Sequence, residues 1–362
     1  MEWVNILFTY YVPSGGVETL NRLRCQTLNR NGINGHLLYL RSGAGIQNVS
    51  NIPMFTTNYD EDIKQILEHH QYALIFVSSD YTMIERLRRL GYNGPIVYEA
   101  QGLGPLHVAE NTIIEAAPVL KQYAQAVHLP PTRHLISLFG RHCPWLPQYV
   151  FSNVIDTARF NYKPNIPPVH PIVAWVGRLE ENKNWKDFLE IGYWLNRYDK
   201  RVRLWMFQDA NIYVEADKQL FEPMIKALNL QDKLTIFNNV PHAEMAHYFS
   251  QIGDSGGILL STSGTEGFGY AVAEAMTCRC PVLCTDSDGV KLFVRHDVTG
   301  KFYGHHQISQ AVEQALDLMR NKPLRNQIRE TSASYIKAHF GESEYVYNFK
   351  NMLRSVLGIG HL

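Results

Sequence analysis

STSGTEGFGYAVAEAM, Ser261–Met276, is the stretch whose reading decides the fold. The apolar run GGILLS leads into it, a turn rich in Ser, Thr and Gly follows, and a helix-forming segment starts near Tyr270. Strand, glycine loop and helix N-terminus in that order form an anion-binding corner, because unpaired amides and the positive end of the helix dipole face the loop. Two carboxylates, Glu266 and Glu274, flank Gly267-Phe268-Gly269. One is expected in the loop and the other about a turn inside the helix. Carboxylates at those places suit hydroxyl groups, so the stretch reads both phosphate and hydroxyls.

Working outward, strand-like and helix-like runs alternate along the second half: PIVAWVGRL, NWKDFLEIGYWLNRY, RVRLWMF, EADKQLFEPMIKALNL, KLTIFNNV, HAEMAHYFSQI, GGILLS and PVLCTDSDG. The first half repeats the pattern. Strands are expected at Val4–Thr9, His36–Leu40, Leu74–Ser78 and Ile96–Glu99, and helices at Glu61–His70 and Thr82–Leu90. The helix Val17–Asn29 is expected to be amphipathic, with Val17, Leu20, Leu23 and Leu28 inward. Ile113–Val127 reads as a helix and His134–Phe139 as a strand. Short apolar strands alternating with helices predict doubly wound parallel sheets.

A chain of 362 residues suits two domains. The expected layout is an N-terminal Rossmann-like domain over 1–161, a proline-rich linker over 162–171 (YKPNIPPVHP) and a C-terminal Rossmann-like domain over 172–341. A last helix within 342–362 carries aromatics that must be buried, and it is expected to pack back on the first domain. The whole is read as α/β, two Rossmann-like domains facing each other across a cleft, with ligand loops at the carboxyl ends of the strands.

Hydrophobic residues at 45% and charged residues at 19% supply a sizeable core. Lys+Arg and Asp+Glu both number 34, which argues against broad phosphate neutralisation and hence against a nucleic-acid partner. The start, MEWVNILFTYYVPSGG, lacks the basic region of a signal peptide, and no stretch is long and apolar enough to span a bilayer. A cytoplasmic protein is expected, and a peripheral membrane contact stays open through the run Arg86, Arg88 and Arg89, which otherwise reads as a solvated helix face. Five scattered cysteines fit buried reduced thiols better than a disulfide framework.

Arg178 and Lys183 share the loop GRLEENKN, between a strand and its helix. Two cations there suit a diphosphate; taken alone, the loop reads equally as a mobile surface loop. Gly15 and Gly16, in VPSGG, would let a ligand approach the backbone at a helix N-terminus, or simply form a strand-to-helix turn. Asp286-Ser287-Asp288 resembles a metal-binding DxD pair but has the profile of a polar turn before Gly289, and no metal site is assigned. Neither domain's first strand is followed by the full dinucleotide fingerprint, which disfavours an NAD oxidoreductase.

Four stretches together resemble the family 4 retaining glycosyltransferases of GT-B fold: SGGVE after the first strand, SNVIDTARF at Ser152–Phe160, VGRLEENKN, and EGFGYAVAEAM with its Glu-x7-Glu pair. The resemblance implies a hexosyl transfer from a nucleotide-diphosphate sugar, UDP- or GDP-linked, to a hydroxyl acceptor, with retained configuration and no metal or other cofactor. It implies that Arg178 and Lys183 hold the diphosphate. Glu266 with the amides of Gly267, Phe268 and Gly269 would contact donor sugar and phosphate, Glu274 the ribose, and Asn239–Val240 the base. Gly15 and Gly16 would meet the phosphates from the first domain.

The family's usual histidine after the fourth strand is Gln101 here, in VYEAQG, and glutamine cannot carry a proton. Gln101 is counted with Arg178, Lys183 and Glu266 as catalytic. The alternatives are a catalytically inactive nucleotide-sugar binder of the same fold and a sugar-nucleotide epimerase, for which His107 is the one nearby proton carrier. The acceptor, whether saccharide, lipid-linked or small molecule, is left open.

Overall fold

The computed structural model describes residues 4–360. Its contacts divide the chain into two units, one of residues 1–154 and 340–362, the other of Ile155–His339.

In the first unit, β1 (Val4–Tyr10), α1 (Gly15–Asn29), β2 (Ile33–Tyr39), β3 (Met54–Thr56), α2 (Asp60–His70), β4 (Leu74–Ser78), α3 (Thr82–Arg89) and β5 (Ile96–Glu99) are followed by α4 (Leu106–Tyr123), β6 (Ala126–Leu129), α5 (Arg133–His142) and β7 (Gln148–Val150). Among the described residues the strands form one seven-stranded sheet, ordered β3-β2-β1-β4-β5-β6-β7 and parallel throughout. One face buries Leu7, Leu38, Ile75, Val77 and Tyr98 against α2 to α5.

Three expectations fail in this unit. Residues 134–139 are helical, because Leu135, Leu138 and Phe139 fall at helical spacing and are buried together. The strand lies just before, at β6, whose first two residues, Ala126 and Val127, read as the end of a helix. That run, AVHL, is short, wholly buried and bonded to both neighbours.

The helix α1 is also not amphipathic. Leu20, Leu23 and Leu28 are buried, but so are Glu18, Asn21, Arg22 and Arg24, while Val17 is only half-buried. The reason is a second cover. The chain returns to this unit as a helix (Glu342–Leu357), whose Phe349 stacks on Phe76 at 5.4 Å and lies 6.3 Å from Phe8. Beneath it, Arg24 donates to both carboxylate oxygens of Glu99, at 2.6 and 2.9 Å, and His128 Nδ1 lies 2.8 Å from the same carboxylate. Burial alone would raise the Glu99 carboxyl, but Arg24 and His128 outweigh it and hold it well below the usual carboxylate range.

The arginines of α3 are engaged within the unit. Arg86 binds Asp60 and Asn58, Arg89 binds Asp60, and Arg88 donates to the carbonyls of Tyr92, Gly94 and Tyr123. The run is a clamp between segments of its own unit rather than a purely solvated basic face.

The second unit holds β8 (Ile172–Val176), α6 (Trp185–Tyr198), β9 (Arg203–Gln208), α7 (Glu215–Ala227), β10 (Leu234–Asn238), α8 (Met245–Asp254), β11 (Ile258–Ser261), α9 (Tyr270–Thr277), β12 (Val282–Thr285), β13 (Lys301–Tyr303), α10 (Ile308–Arg320) and α11 (Lys322–His339). The helix 342–357 described above is α12. The strand order, β10-β9-β8-β11-β12-β13, is again parallel and repeats the order of the first six strands of the other sheet. Residues 155–161, expected with the first domain, belong here. The proline-rich stretch is stitched to α8: the Lys163 amide donates to Ser250 Oγ, and Tyr162 and Asn165 both donate to Asp254. Its apolar side chains Ile166 and Val169 stay in solvent.

The five cysteines are free and buried. No helix among the described residues is long and apolar enough to cross a membrane.

Candidate functional site

In a doubly wound sheet, ligands settle beyond the carboxyl ends of the strands where the strand order reverses. In the second unit that point lies between β8 and β11. The loop after β8 carries Arg178 and Lys183, and the loop after β11 opens the stretch Ser261–Met276.

Asn182 buckles these two loops together. Its carbonyl accepts from the Gly264 amide at 2.8 Å, and its Oδ1 accepts from the Thr265 amide at 3.0 Å and the Thr265 hydroxyl at 2.8 Å. Its Nδ2 donates to the Thr265 carbonyl at 3.1 Å. A second strap runs from the Trp175 indole to the Thr262 hydroxyl, and from that hydroxyl to the Lys183 carbonyl. Held this way, Lys183 Nζ meets Glu266 Oε1 at 2.6 Å, both side chains partly exposed. Arg178 lies in the same loop and pairs with Glu180 at 3.2 Å.

Behind Glu266 the backbone is tight. A Cβ on Gly289 would come within 2.3 Å of the Glu266 carbonyl oxygen, and the Gly289 amide donates to that oxygen. Gly269 caps α9 at φ +87°, where a side chain is strained and would also meet Val290 at 2.7 Å. Phe268 is buried against Phe293 and Tyr270, which fixes the turn Gly267–Gly269. Glu274 lies one turn into α9, nearly buried, with Oε1 2.9 Å from His242 Nε2.

At the end of β10, Asn239 takes a left-handed φ of 51°. It donates to Asp209 at 3.1 Å and accepts from the Ala210 amide at 2.8 Å, which leaves Val240 half-buried beside it. Asp286 and Asp288 are both paired with Lys291, as suits a polar turn. Among the described residues no group of three or more His, Cys, Asp or Glu is arranged to hold a metal ion.

Gly15, Gly16 and Gln101 stand in the first unit, at the carboxyl ends of β1 and β5. Gly15 has φ +70° and is exposed with Gly16 at the start of α1. The loop before it is braced by a second glycine segment, where the Gly45 amide donates to the Pro13 carbonyl. A Cβ on Gly45 would reach that carbonyl oxygen at 2.4 Å. Gln101 pairs through both ends of its amide with Asn153, at 2.8 and 3.3 Å.

Asn182 and His242 were not expected at the second unit's site, nor Asn153 beside Gln101 in the first unit. Asn182 stands inside the quoted loop GRLEENKN, where an asparagine reads as a turn residue, and its partners lie 83 residues away. His242 carries no spacing signal at all.

Residues 156–334, nearly the whole second unit, match the family model described as glycosyl transferases group 1. The chain is 22% identical to a trehalose synthase from Thermococcus litoralis over 53% of its own length and 46% of that protein's. It is 26% identical to an alpha-D-kanosaminyltransferase from Streptomyces kanamyceticus, over 48% of its length and 42% of that protein's. It thus spans about half the length of the curated relatives it matches. Two solved structures align over almost the full chain. A sucrose-phosphate synthase from Thermosynechococcus elongatus superposes with a TM-score of 0.83 at 15% identity, covering 98% of this chain and 99% of that one. HepE from Anabaena, solved in complex with UDP and glucose, superposes with a TM-score of 0.82 at 17% identity, covering 97% and 100%.

Proposed function

We propose, from a GT-B fold built of two Rossmann-like halves and the match of residues 156–334 to the group 1 glycosyl transferases, that the protein is a retaining glycosyltransferase, of the family 4 kind, that moves a hexosyl group from a UDP- or GDP-sugar to a hydroxyl acceptor without a metal or other cofactor. The observation that carries the reading is the Lys183–Glu266 pair, assembled from two strand-end loops at the switch point and fixed there by Asn182. The UDP bound to HepE and the sugar-transferring relatives support a nucleotide-sugar donor.

On this reading Lys183 and Arg178 take the diphosphate, whose charge grows as the glycosidic bond breaks. Lys183 then exchanges its carboxylate partner for phosphate oxygens, which frees Glu266 to accept from a donor-sugar hydroxyl. The amides of Gly267, Phe268 and Gly269 add donors at the helix N-terminus. Glu274 accepts from the ribose hydroxyls, and Asn239 and Val240 meet the base. Of the first unit's own candidates, Gly15 and Gly16 offer backbone amides at the start of α1, and Gln101 can orient a hydroxyl but not move a proton. The acceptor oxygen bonds to the anomeric carbon as that carbon's bond to the phosphate oxygen breaks. The electron pair leaves with the nucleoside diphosphate, and the acceptor proton follows it.

A second reading is favoured by one observation, the Gln101 amide being paired at both ends with Asn153: a binder of nucleotide-sugars that does not turn them over. Release of nucleoside diphosphate from UDP- and GDP-sugars, with chelator present and with saccharide, lipid-linked and small hydroxyl acceptors, separates the two. Transfer with the anomeric configuration kept supports the enzyme. Tight donor binding with no release across all acceptors establishes the binder, and absence of any nucleotide binding overturns both.

A further inference from the structure

His242 stands between two segments assigned to one ligand. On one side its Nε2 lies 2.9 Å from Glu274 Oε1, with side-chain exposures of 12% and 5%. A carboxylate only accepts, so Nε2 carries the hydrogen and donates it. On the other side His242 opens the short helical turn that follows Asn239-Val240-Pro241. That tripeptide is therefore fixed at both ends: Asn239 is clasped by Asp209 and the Ala210 amide, and His242 is tied to α9 through Glu274.

The imidazole is also backed from behind. Phe160, fully buried, faces it with ring centroids 4.7 Å apart. Phe160 in turn is set by the turn Asp156–Phe160, in which its amide donates to the Asp156 carbonyl and the Arg159 amide to Asp156 Oδ1. The ArgPhe end of SNVIDTARF thus has a physical use: it supplies the wall against which His242 rests.

We infer that His242 is a positioning residue that aims Glu274 at the ribose of a bound nucleotide and sets its distance from the base-reading segment. The inference rests on the reading of Glu274 as the ribose contact. One donated hydrogen bond occupies one acceptor site of the carboxylate and leaves the others for the 2′- and 3′-hydroxyls. Side chains held by such a supporting bond keep the geometry that a loose carboxylate on a helix surface would lose.

The test measures ribose discrimination by calorimetric titration of the full chain with UDP against dUDP, and GDP against dGDP. The wild type is expected to prefer the ribonucleotide of its own base by about ten-fold or more, the scale of a hydrogen bond to a charged group. His242→Phe keeps a ring against Phe160 but removes the donor, and it should bring the preference to within about two-fold. His242→Gln restores a donor and should restore most of the preference. His242→Phe combined with Glu274→Ala should discriminate no less than Glu274→Ala alone. With donor sugar, His242→Phe should raise KM while leaving kcat within about three-fold. If His242→Phe keeps the full preference, or weakens ribo- and deoxynucleotide equally, the positioning role is overturned. If the wild type binds none of the four nucleotides, the donor reading falls first, and this inference with it.

Discussion

The two halves share one strand order and use buried charge in opposite ways. In the first, Arg24, Glu99 and His128 are sealed between the sheet, α1 and α12, where they bond to each other and to Ser78 and Asn21, with Arg24 also over the ring of Phe8. In the second, Lys183 and Glu266 sit at the strand ends with part of each side chain in solvent. A sealed pair can only support the fold, since opening it would strand a charge in the interior. A pair at the surface of a switch point costs little to open, and a phosphate can replace the carboxylate as partner. A cation–carboxylate pair is structure in one place and a candidate binding site in the other.

The sealed network predicts the largest effect. Glu99→Ala leaves Arg24 charged and buried, and should destabilise the protein by about 3–5 kcal/mol in urea unfolding. Replacing the pair together, Arg24→Met with Glu99→Leu, should recover part of that loss, because no buried charge is then left unpaired, while His128, Ser78 and Asn21 still lose a partner. A single variant that unfolds no more easily than wild type would remove the contrast with Lys183.

The exposed pair predicts nearly as large an effect of a different kind. Lys183→Ala should lower turnover by about 10²–10³, the cost of losing one preorganised partner of developing charge, roughly 2.7–4 kcal/mol. Its unfolding midpoint should stay close to wild type, since a partly exposed pair contributes little to stability. Wild-type turnover in Lys183→Ala would place the catalytic charge elsewhere.

A third test concerns a buried group that stays neutral. His36 lies beside Tyr72 and His70, and burial, then the neighbouring His70, pushes its imidazole down to about 4. The unfolded chain takes up a proton near pH 6.5 that the folded one refuses until about pH 4. Stability should therefore fall as pH drops through that window, by at most about 3 kcal/mol. His36→Gln should flatten the fall relative to wild type in parallel unfolding titrations. An unchanged pH profile would show that His36 is not the group responsible.

The sequence carried the fold because both sheets are written in short apolar runs that have to be buried on two faces, and the glycine loops mark where they turn. Glu266, Glu274, Arg178 and Lys183 stand in loops that could be placed by counting from those strands. What escaped were side chains whose burial or bonding is set by an element that no local pattern points to. Arg22 and Arg24 read as the polar face of α1: the aromatics of the last helix announce its return to the first domain, but nothing local says that α1 is part of what it covers. Ala126–Val127 and His134–Phe139 read as the wrong element because short apolar runs look alike as strand or helix. His242 gave no signal because its carboxylate comes from another helix.

Asn182 is the smallest and sharpest test of how the second half builds its site. It neither carries charge nor belongs to the cation pair, yet four hydrogen bonds tie the loop of Lys183 to the loop of Glu266 through it. Asn182→Ala removes the three made by its side chain and keeps the one made by its carbonyl. Each such bond contributes about 0.5–1.5 kcal/mol, and water can reach this half-buried turn to replace part of the loss. The expected outcome is a drop of about ten-fold in turnover and about 1–2 kcal/mol in stability, well short of Lys183→Ala. Asn182→Asp should separate the two parts of the buckle: Oδ1 still accepts from Thr265, but the donor to the Thr265 carbonyl is gone, so it should fall between wild type and Asn182→Ala. If Asn182→Ala were as damaging as Lys183→Ala, the site would depend on loop order more than on the lysine's charge, and the contrast between the sealed and the open pair would have to be redrawn around the buckle.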